Sequence, residues 1–574
     1  VFATSAPDLL SLPAGWVRAP LTSGFTALGT SLYEQDIGSD RSILEFGARY
    51  LPTSNVDLFA EYRRQERDGV DIASGSGYTQ ASFLARPLDY HTDEMDLGAR
   101  YASGPMNLTL AYYGSFFRND IDSLTWDNPF VSLAGAEQGR MARQPDNDFQ
   151  QLSLSGSYRA AIADTRIAFT AAMGRGEQND SFLPYTINPN IVTPALPATS
   201  LDGRVDTANY ALTITARPFA KTRVKLAYRY DDRDKRTPIL QFSPVIVDSF
   251  ASGEIQSNVP YSFSRARLSA GAEYKPYSVL ALSAGFERTE LDRDYQEVAE
   301  QTEDSGWGRV RWRPNQVFDI TARAGAAKRD IDSYNTAIAI SYGQNPLMRK
   351  YNLAYRYREF GELVVSATPT GSPLSLAISF LLTDDAYSKS ELGLTDSRES
   401  GLSADLGWAL SDRSSLYLTG GTENIEATQL GSEFGGSADW IATHDDQFNY
   451  WGGGFRIAAI SDKVDLSVDY TRTDSNTAID VNGAATSASQ LPDLEATIDS
   501  LRMTVAYRQS ERLSIDFMLR YERMASTDWA LDGVEPDTLP TILTLGADAY
   551  NYKVWAAGLA FRYRIGESSI SFPE

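Results

Sequence analysis

The stretch from Ile498 to Arg523 constrains the fold more than any other part of the chain. Two arms of roughly ten residues flank the short polar link Gln509-Ser510-Glu511, and apolar and polar residues alternate along both arms. Successive side chains of a strand point to opposite faces, so one face of this hairpin is apolar and the other is charged. Strands of soluble proteins usually have ~5–6 residues, whereas a tilted strand that crosses a bilayer needs ~9–11. The stretch therefore predicts a membrane-spanning β-hairpin.

The same two-arm pattern recurs along the whole chain. It predicts about 21 strands, from Ile43–Tyr50 through, for example, Met106–Asn119 to Val554–Ile565, and Leu21–Glu34 could add a weak strand to give about 22. Short links with Pro or Asp alternate with long polar links, among them residues 120–147, 424–446 and 475–496, as in outer-membrane barrels whose turns face the periplasm. We therefore predict an all-β fold, a large antiparallel up-and-down transmembrane β-barrel in the bacterial outer membrane.

No change in composition divides the 574 residues into separate domains. We expect a single outer-membrane barrel domain over residues 1–574, with an extracellular loop or weak edge strand at 1–40, the barrel strands at 41–565 and a tail at 566–574. A mean hydropathy of -0.31 and 42% hydrophobic residues argue against a bundle of membrane helices. A barrel escapes that test because only alternate residues of its strands face lipid.

Charge and side-chain chemistry exclude several functions. The formal charge of -23 argues against a nucleic-acid partner, which requires a basic surface. The chain has no cysteine and only two histidines, His91 and His444, so it cannot ligate a row of haems itself. No catalytic constellation is recognisable, and we expect no enzyme activity. Clustered carboxylates at Asp231-Asp232 and Asp445-Asp446 could attract Ca²⁺, but the spacing of a calcium loop does not support such a site.

Basic residues on the polar side of the strands are the candidate contact residues. Facing lipid, each would cost ~2–4 kcal/mol at the midplane, so we expect these side chains to line the lumen. They could form a solvated pore wall or a sleeve around a protein partner. The candidates are Arg159, Arg166, Arg223, Lys225, Arg229, Arg267, Arg502, Arg508 and Arg520.

Segments in the predicted loops and strands resemble the MtrB/PioB family of decahaem-associated outer-membrane porins along essentially the whole chain. The number and order of the segments, rather than any one of them, make the resemblance specific. They are Leu12–Ala19, Asp122–Phe130, Ser181–Pro189, Ser200–Thr207, Tyr228–Pro238, Pro260–Leu268, Gly306–Pro314, Asn345–Ala354, Leu392–Glu399, Leu491–Arg502 and Asp528–Gly546.

The resemblance implies a barrel that holds a periplasmic decahaem c-type cytochrome in its lumen for electron transfer across the outer membrane. The haems would belong to that partner, and the long loops could dock an extracellular multihaem cytochrome. The alternative is a wide diffusion porin or transporter without a cytochrome. The family barrel has 26 strands and would place Leu12–Ala19 after the fifth, so we expect five N-terminal strands to be absent from this sequence. Ile565 and the tail after it depart from the family's terminal aromatic residue.

Overall fold

The computed structural model describes residues 1–131, 135–483, 491–546 and 551–563. The strands as far as the second long loop are β1 (Ala3–Ala6), β2 (Leu9–Ser11), β3 (Gly38–Thr53), β4 (Val56–Ser76), β5 (Ala81–Ser103), β6 (Met106–Asn119), β7 (Ser123–Asp127), β8 (Gln138–Ala142), β9 (Asn147–Ala160) and β10 (Thr165–Gln178). Those that follow are β11 (Gly203–Ala216), β12 (Thr222–Lys235), β13 (Gln241–Phe242), β14 (Val245–Ile246), β15 (Phe250–Ala251), β16 (Gln256–Ser257), β17 (Phe263–Tyr277), β18 (Leu280–Arg293), β19 (Glu300–Trp312) and β20 (Phe318–Ile331).

The remaining strands are β21 (Arg356–Ala367), β22 (Leu374–Ala386), β23 (Gly393–Ser411), β24 (Ser414–Gly431), β25 (Trp440–Ile460), β26 (Val464–Asn482), β27 (Leu494–Arg508), β28 (Leu513–Thr527), β29 (Ile542–Leu543) and β30 (Tyr552–Tyr563). The helical elements are α1 (Leu28–Ser31), α2 (Thr336–Ser341) and the 3₁₀ turns Thr22–Gly24 and Ile162–Asp164. Within the described residues, no helix is long and apolar enough to cross a membrane.

The long strands pair with their neighbours in chain order, as an up-and-down meander requires. Leaving aside the two-residue β29, about 21 strands take part, which confirms the number predicted from alternation. The alternative strand at Leu21–Glu34 does not form. That segment instead contains a 3₁₀ turn and one turn of α-helix, and its apolar residues Phe25 and Leu28 are buried. Ile565 and the predicted tail lie outside the described residues.

Several strands are longer than the alternation alone suggested. β4 and β5 form a hairpin of 21 and 23 residues whose far end lies at 76–81. Residues expected to be loops at 424–446 and 475–496 are largely strand, because β24 and β26 continue to Gly431 and Asn482. These extensions are mainly polar, so they lack the alternation of apolar and polar residues from which the strands were predicted. Pairing with the neighbouring strand extends them instead.

The described residues form two compact units. The first contains Val1–Ala270, Thr289–Glu300 and the segment from Gly533, and the second contains Gly271–Arg288, Gln301–Asp532 and β30. Successive residues of the long strands point to opposite faces of the sheet. In β27 and β28, for example, Leu501 pairs with Tyr521 and Val505 with Phe517 on the apolar face.

The main cluster of buried apolar residues lies in the loops of the first unit. β1, β2, β7 and β8 form a small sheet, which we call the loop module together with residues 12–32 and 536–543. Leu10 and Leu124 are fully buried in it, and Trp126 is 6% exposed. A Cβ atom on Gly75 or Gly139 would lie within 2.5 Å of the Trp126 ring, so both glycines are needed for this close approach.

Candidate functional site

The polar face of the first unit brings several predicted contact residues into one row. Arg159, Arg166, Thr215 and Lys225 are successive register partners on β9, β10, β11 and β12. Residues directly opposite one another in neighbouring strands share a face of the sheet. Arg223 and Arg229 lie on the same face as Lys225, because they are two and four positions away in β12.

The next strand adds two more cations. Arg265 and Arg267 of β17 line a cavity of about 310 Å³ together with Arg229. The same cavity contains one carboxylate, that of Asp231, and the neutral side chains of Thr170 and Asn209. Arg265 was not among the residues predicted from the sequence, although its position two residues before Arg267 would have placed it on the same face. We define the basic patch as Arg166, Arg223, Lys225, Arg229, Arg265 and Arg267.

Most of the basic patch lacks internal charge compensation. In the described part of the chain, no carboxylate lies within ion-pair distance of Arg223, Lys225, Arg229 or Arg265, and all four residues are exposed. The facing residues of β10 and β11 are small or neutral, such as Ala168, Thr213 and Ala211. In contrast, Arg159 is held by Asp164 at 2.8 Å in the turn between β9 and β10. Arg159 therefore differs from the other cations of the row, because its charge is paired within the turn.

Carboxylates collect on another part of the same unit. Glu45, Glu61, Glu94 and Asp96, which we call the acidic patch, line a cavity of about 390 Å³ on β3, β4 and β5. A single cation, Arg63, lies among them, with Nη1 2.8 Å from Glu94 and Nε 3.0 Å from Glu45. Tyr113 donates a hydrogen bond of 2.8 Å to Glu94. This cluster was not predicted from the sequence, because only the register of β3, β4 and β5 brings Glu45, Glu61 and Glu94 together.

The predicted contact residues of the second unit are in a different electrostatic setting. Arg508 contacts Asp465 at 2.9 Å, and Arg520 contacts Glu522 at 2.6 Å. Arg502 pairs in register with Asp469 on one side and with Arg520 on the other. Carboxylates therefore alternate with cations on this polar face, and its charge is largely compensated.

The apolar face carries aromatic rings next to charged networks. In the first unit Tyr210 stacks on Tyr230 with centroids 6.1 Å apart, and the register pairs Leu212–Tyr228 and Ile214–Leu226 follow along the same face. In the opposite direction the face becomes charged at Asp206, which contacts Arg175 at 2.9 Å and Arg204 at 2.8 Å. An apolar band that ends in aromatic residues is typical of the lipid-facing surface of an outer-membrane barrel.

The clustered aspartates do not converge on one point. Asp231 and Asp232 lie in β12, and Asp445 and Asp446 lie in β25, where adjacent residues point to opposite faces of the sheet. In both pairs one carboxylate is on the polar face and the other on the apolar face.

The loop module is a second structured region that the sequence did not reveal. Trp16 donates its indole N–H to the Pro129 carbonyl at 3.1 Å, and the Leu12 amide donates to Asp127 at 2.9 Å. Thr22 Oγ1 donates to the Leu539 carbonyl at 3.0 Å, which ties the N-terminal segment to the loop after β28. A signal was present, because tryptophan and phenylalanine are unusual in a loop that is exposed throughout.

Comparison with known proteins agrees with this geometry. Residues 2–565 match the family model for outer membrane beta-barrel porins of the MtrB/PioB type. The chain is similar to outer membrane protein MtrB of Shewanella baltica, with 26% identity over 560 residues, 97% of this chain and 79% of that protein.

Solved structures of outer-membrane barrels show the same fold. The FrpB iron transporter of Neisseria meningitidis is similar, with a TM-score of 0.55, 9% identity, and coverage of 92% of this chain and 83% of that one. The ferric enterobactin receptor PfeA of Pseudomonas aeruginosa has a TM-score of 0.52, 12% identity, and coverage of 91% and 78%. The fold class and the outer-membrane location predicted from alternation are confirmed. This chain is a member of the MtrB/PioB family of outer-membrane β-barrel porins.

Proposed function

We propose that this porin is a sheath that holds and insulates a periplasmic multihaem c-type cytochrome, a decahaem one as in its family, for electron transfer across the outer membrane. The observation that carries the proposal is a set of exposed cations on the polar face of the sheet for which the described residues supply no ion-pair partner. Arg223, Lys225 and Arg229 are members of this set. A water-soluble protein surface offers polar and charged groups that can meet them.

In the proposed complex, one chain carries the haems and the other surrounds them. The absence of cysteine means that this chain cannot attach c-type haem, so the haems are carried by the partner. The sheath supplies an apolar surface to lipid and a polar surface to the cytochrome, and it keeps the haem chain out of the hydrocarbon. No bond is formed or broken by residues of the barrel, and we therefore propose no enzymatic role.

The loop module is the candidate site for a second contact, with a cytochrome outside the cell. Its strands and its buried Trp126 give it a core of its own, so it is a folded platform rather than a set of loose loops. We propose that this end of the protein docks an extracellular multihaem cytochrome, which would receive or deliver electrons.

Purification from the native outer membrane tests the sheath. We expect the barrel to elute in mild detergent with a stoichiometric haem-containing protein, identified by its absorption spectrum and by mass spectrometry. A barrel that elutes without haem, and that conducts ions when reconstituted alone in a planar bilayer, would support a diffusion porin instead.

A further inference from the structure

Two places on the polar face of the first unit carry opposite charge, the acidic patch at its cavity on β3–β5 and the basic patch on β10–β17. Beyond the acidic patch, the same face of β3–β5 carries Arg49 and Arg100 paired with Asp57, so the surplus of acid is local to the cavity. Register connects the two patches on one face. Asp96 pairs with Tyr113, Tyr113 with Gln151, Gln151 with Gly174, and Gly174 with Thr207, which pairs with Arg233 of β12. Every member of this row therefore points to the same side of the sheet.

Neutral strands separate the two patches. The polar-face residues of β6 include Thr109, Ala111, Tyr113 and Ser115, and none of them is charged. In β9 the corresponding positions are mainly serines and glutamine, at Ser153, Ser155, Ser157 and Gln151, until Arg159 at the turn. The acids and the bases are consequently too far apart along the sheet to neutralise one another by contact.

In the second unit, acidic and basic residues of the polar face are not separated in this way. There, Arg508 with Asp465 and Arg520 with Glu522 are compensated within 3 Å. Uncompensated cations are also unexpected on composition, because the chain has 75 acidic and 52 basic residues. Like charges held together on a wall repel one another, and the repulsion is relieved only by ions or by a surface of opposite charge.

We propose that the divided polar face of the first unit is a two-part docking surface that sets the rotation of the occupant about its long axis. The basic patch takes a carboxylate-rich surface of the occupant, and the acidic patch takes a lysine- or arginine-rich surface. The occupant is the multihaem cytochrome, so this inference rests on the proposed function. Charge complementarity of this kind selects one orientation over others more than it adds affinity.

Carbodiimide coupling of the native complex tests the basic patch. Lys225 is its only primary amine, and its Nζ would form an amide with a partner carboxylate while the carbodiimide takes up the water and leaves as a urea. We expect a cross-linked peptide that joins Lys225 to an aspartate or glutamate of the haem protein. Lys225→Arg keeps the charge but removes the amine, so it should abolish this peptide without releasing haem. Lys328 and Asp330, 2.8 Å apart, should couple within the chain and confirm that the reagent works.

Salt release tests the division of charge. In the triple variant Arg223→Gln, Lys225→Gln, Arg229→Gln, half of the haem should leave the barrel at a several-fold lower NaCl concentration than in the wild type. Glu61→Gln with Asp96→Asn should act in the same direction. The matched triple variant in the second unit, Arg502→Gln, Arg508→Gln, Arg520→Gln, should change the midpoint less. Heat-modifiable mobility in gels checks that each barrel has assembled.

The outcomes separate the two ideas. A wild-type barrel that carries no haem protein overturns the sheath and this inference with it. A barrel that carries the cytochrome, yet gives no Lys225 cross-link and the same salt midpoint in all three variants, leaves the sheath standing and overturns the docking surface. Loss of retention in the basic-patch variant alone would overturn the two-part arrangement.

Discussion

Replacing Phe517 with arginine tests which face of the sheet meets lipid. Phe517 lies on the apolar face of β28 between Val505 and Leu559 of the neighbouring strands. Tyr521, four residues further on, packs against Trp555 with centroids 4.5 Å apart and marks the aromatic boundary. Four residues span ~13 Å of strand, or ~10 Å along the membrane normal at a tilt of ~40°. The apolar band of such barrels is ~25 Å tall, so Phe517 lies close to its midplane.

At that depth an arginine costs ~2–4 kcal/mol, which corresponds to about a 30- to 1,000-fold loss in the folding equilibrium constant. The matched control is Met518→Arg, the same substitution one residue away on the polar face, where the side chain is 42% exposed. Arg520→Leu is a second control. It removes an exposed ion pair worth ~0–1 kcal/mol, and Glu522 keeps its hydrogen bond from Tyr552.

The assay is urea-dependent folding into lipid vesicles, read from heat-modifiable mobility, together with the amount of barrel in the outer membrane of cells. We expect Phe517→Arg to assemble poorly and both controls to assemble nearly as well as the wild type. Equal assembly of Phe517→Arg and Met518→Arg, or a larger defect in Met518→Arg, would refute the assignment of the two faces.

Three further predictions concern the loops and turns. Trp126→Ala should remove ~3–5 kcal/mol of packing from the loop module and speed tryptic cleavage within 120–147, while the membrane strands stay intact; unchanged cleavage would contradict the packing. Arg143, 6% exposed and with no hydrogen-bond partner for its guanidinium in the described residues, has its pKa lowered by burial. Arg143→Met should relieve a cost of ~1–3 kcal/mol and slow chymotryptic cleavage of the same segment, a readout that does not depend on the tryptic site lost with Arg143; faster or unchanged cleavage would contradict the cost. The hydrogen bond and charge of Arg159 lower the pKa of Asp164, so its contribution to stability should be present above pH ~4 and lost as the pH falls through the lower folded value. Unfolding midpoints of wild type and Asp164→Asn should differ at neutral pH and approach one another as the pH falls below the ordinary Asp pKa of ~3.9, and a difference that does not shrink with falling pH would contradict the pairing.

The alternation of apolar and polar residues predicted the strands well, because every second residue of a membrane strand faces lipid and must be apolar. Met106–Asn119 has the bounds expected from the sequence, and the faces of the hairpin around Gln509 agree with the register of β27 and β28. The ends of β24 and β26 could not be predicted, since polar extensions beyond the membrane obey pairing rather than hydrophobicity.

The site was predictable only in part. The side of the strand that carries Lys225 and Arg229 follows from spacing alone, whereas the lack of a carboxylate beside them among the described residues depends on what the neighbouring strands place there. The acidic patch requires the register of β3, β4 and β5, because Glu45 and Glu94 are far apart in sequence and meet only through Arg63. The loop module depends on contacts between still more distant segments.

Those distant contacts make the loop module a natural reporter of assembly. Thr22 and Asp537 hydrogen-bond across 515 residues of chain. Closing so long a loop from a disordered chain would cost on the order of 5 kcal/mol in entropy, which one hydrogen bond does not offset. The intervening strands must shorten the path first, so the module should appear late, after the sheet has brought both segments together. The time at which the 120–147 segment becomes resistant to protease would then report when the sheet is fully assembled. A chain that stalls during insertion would be recognised by a solvent-exposed Trp126.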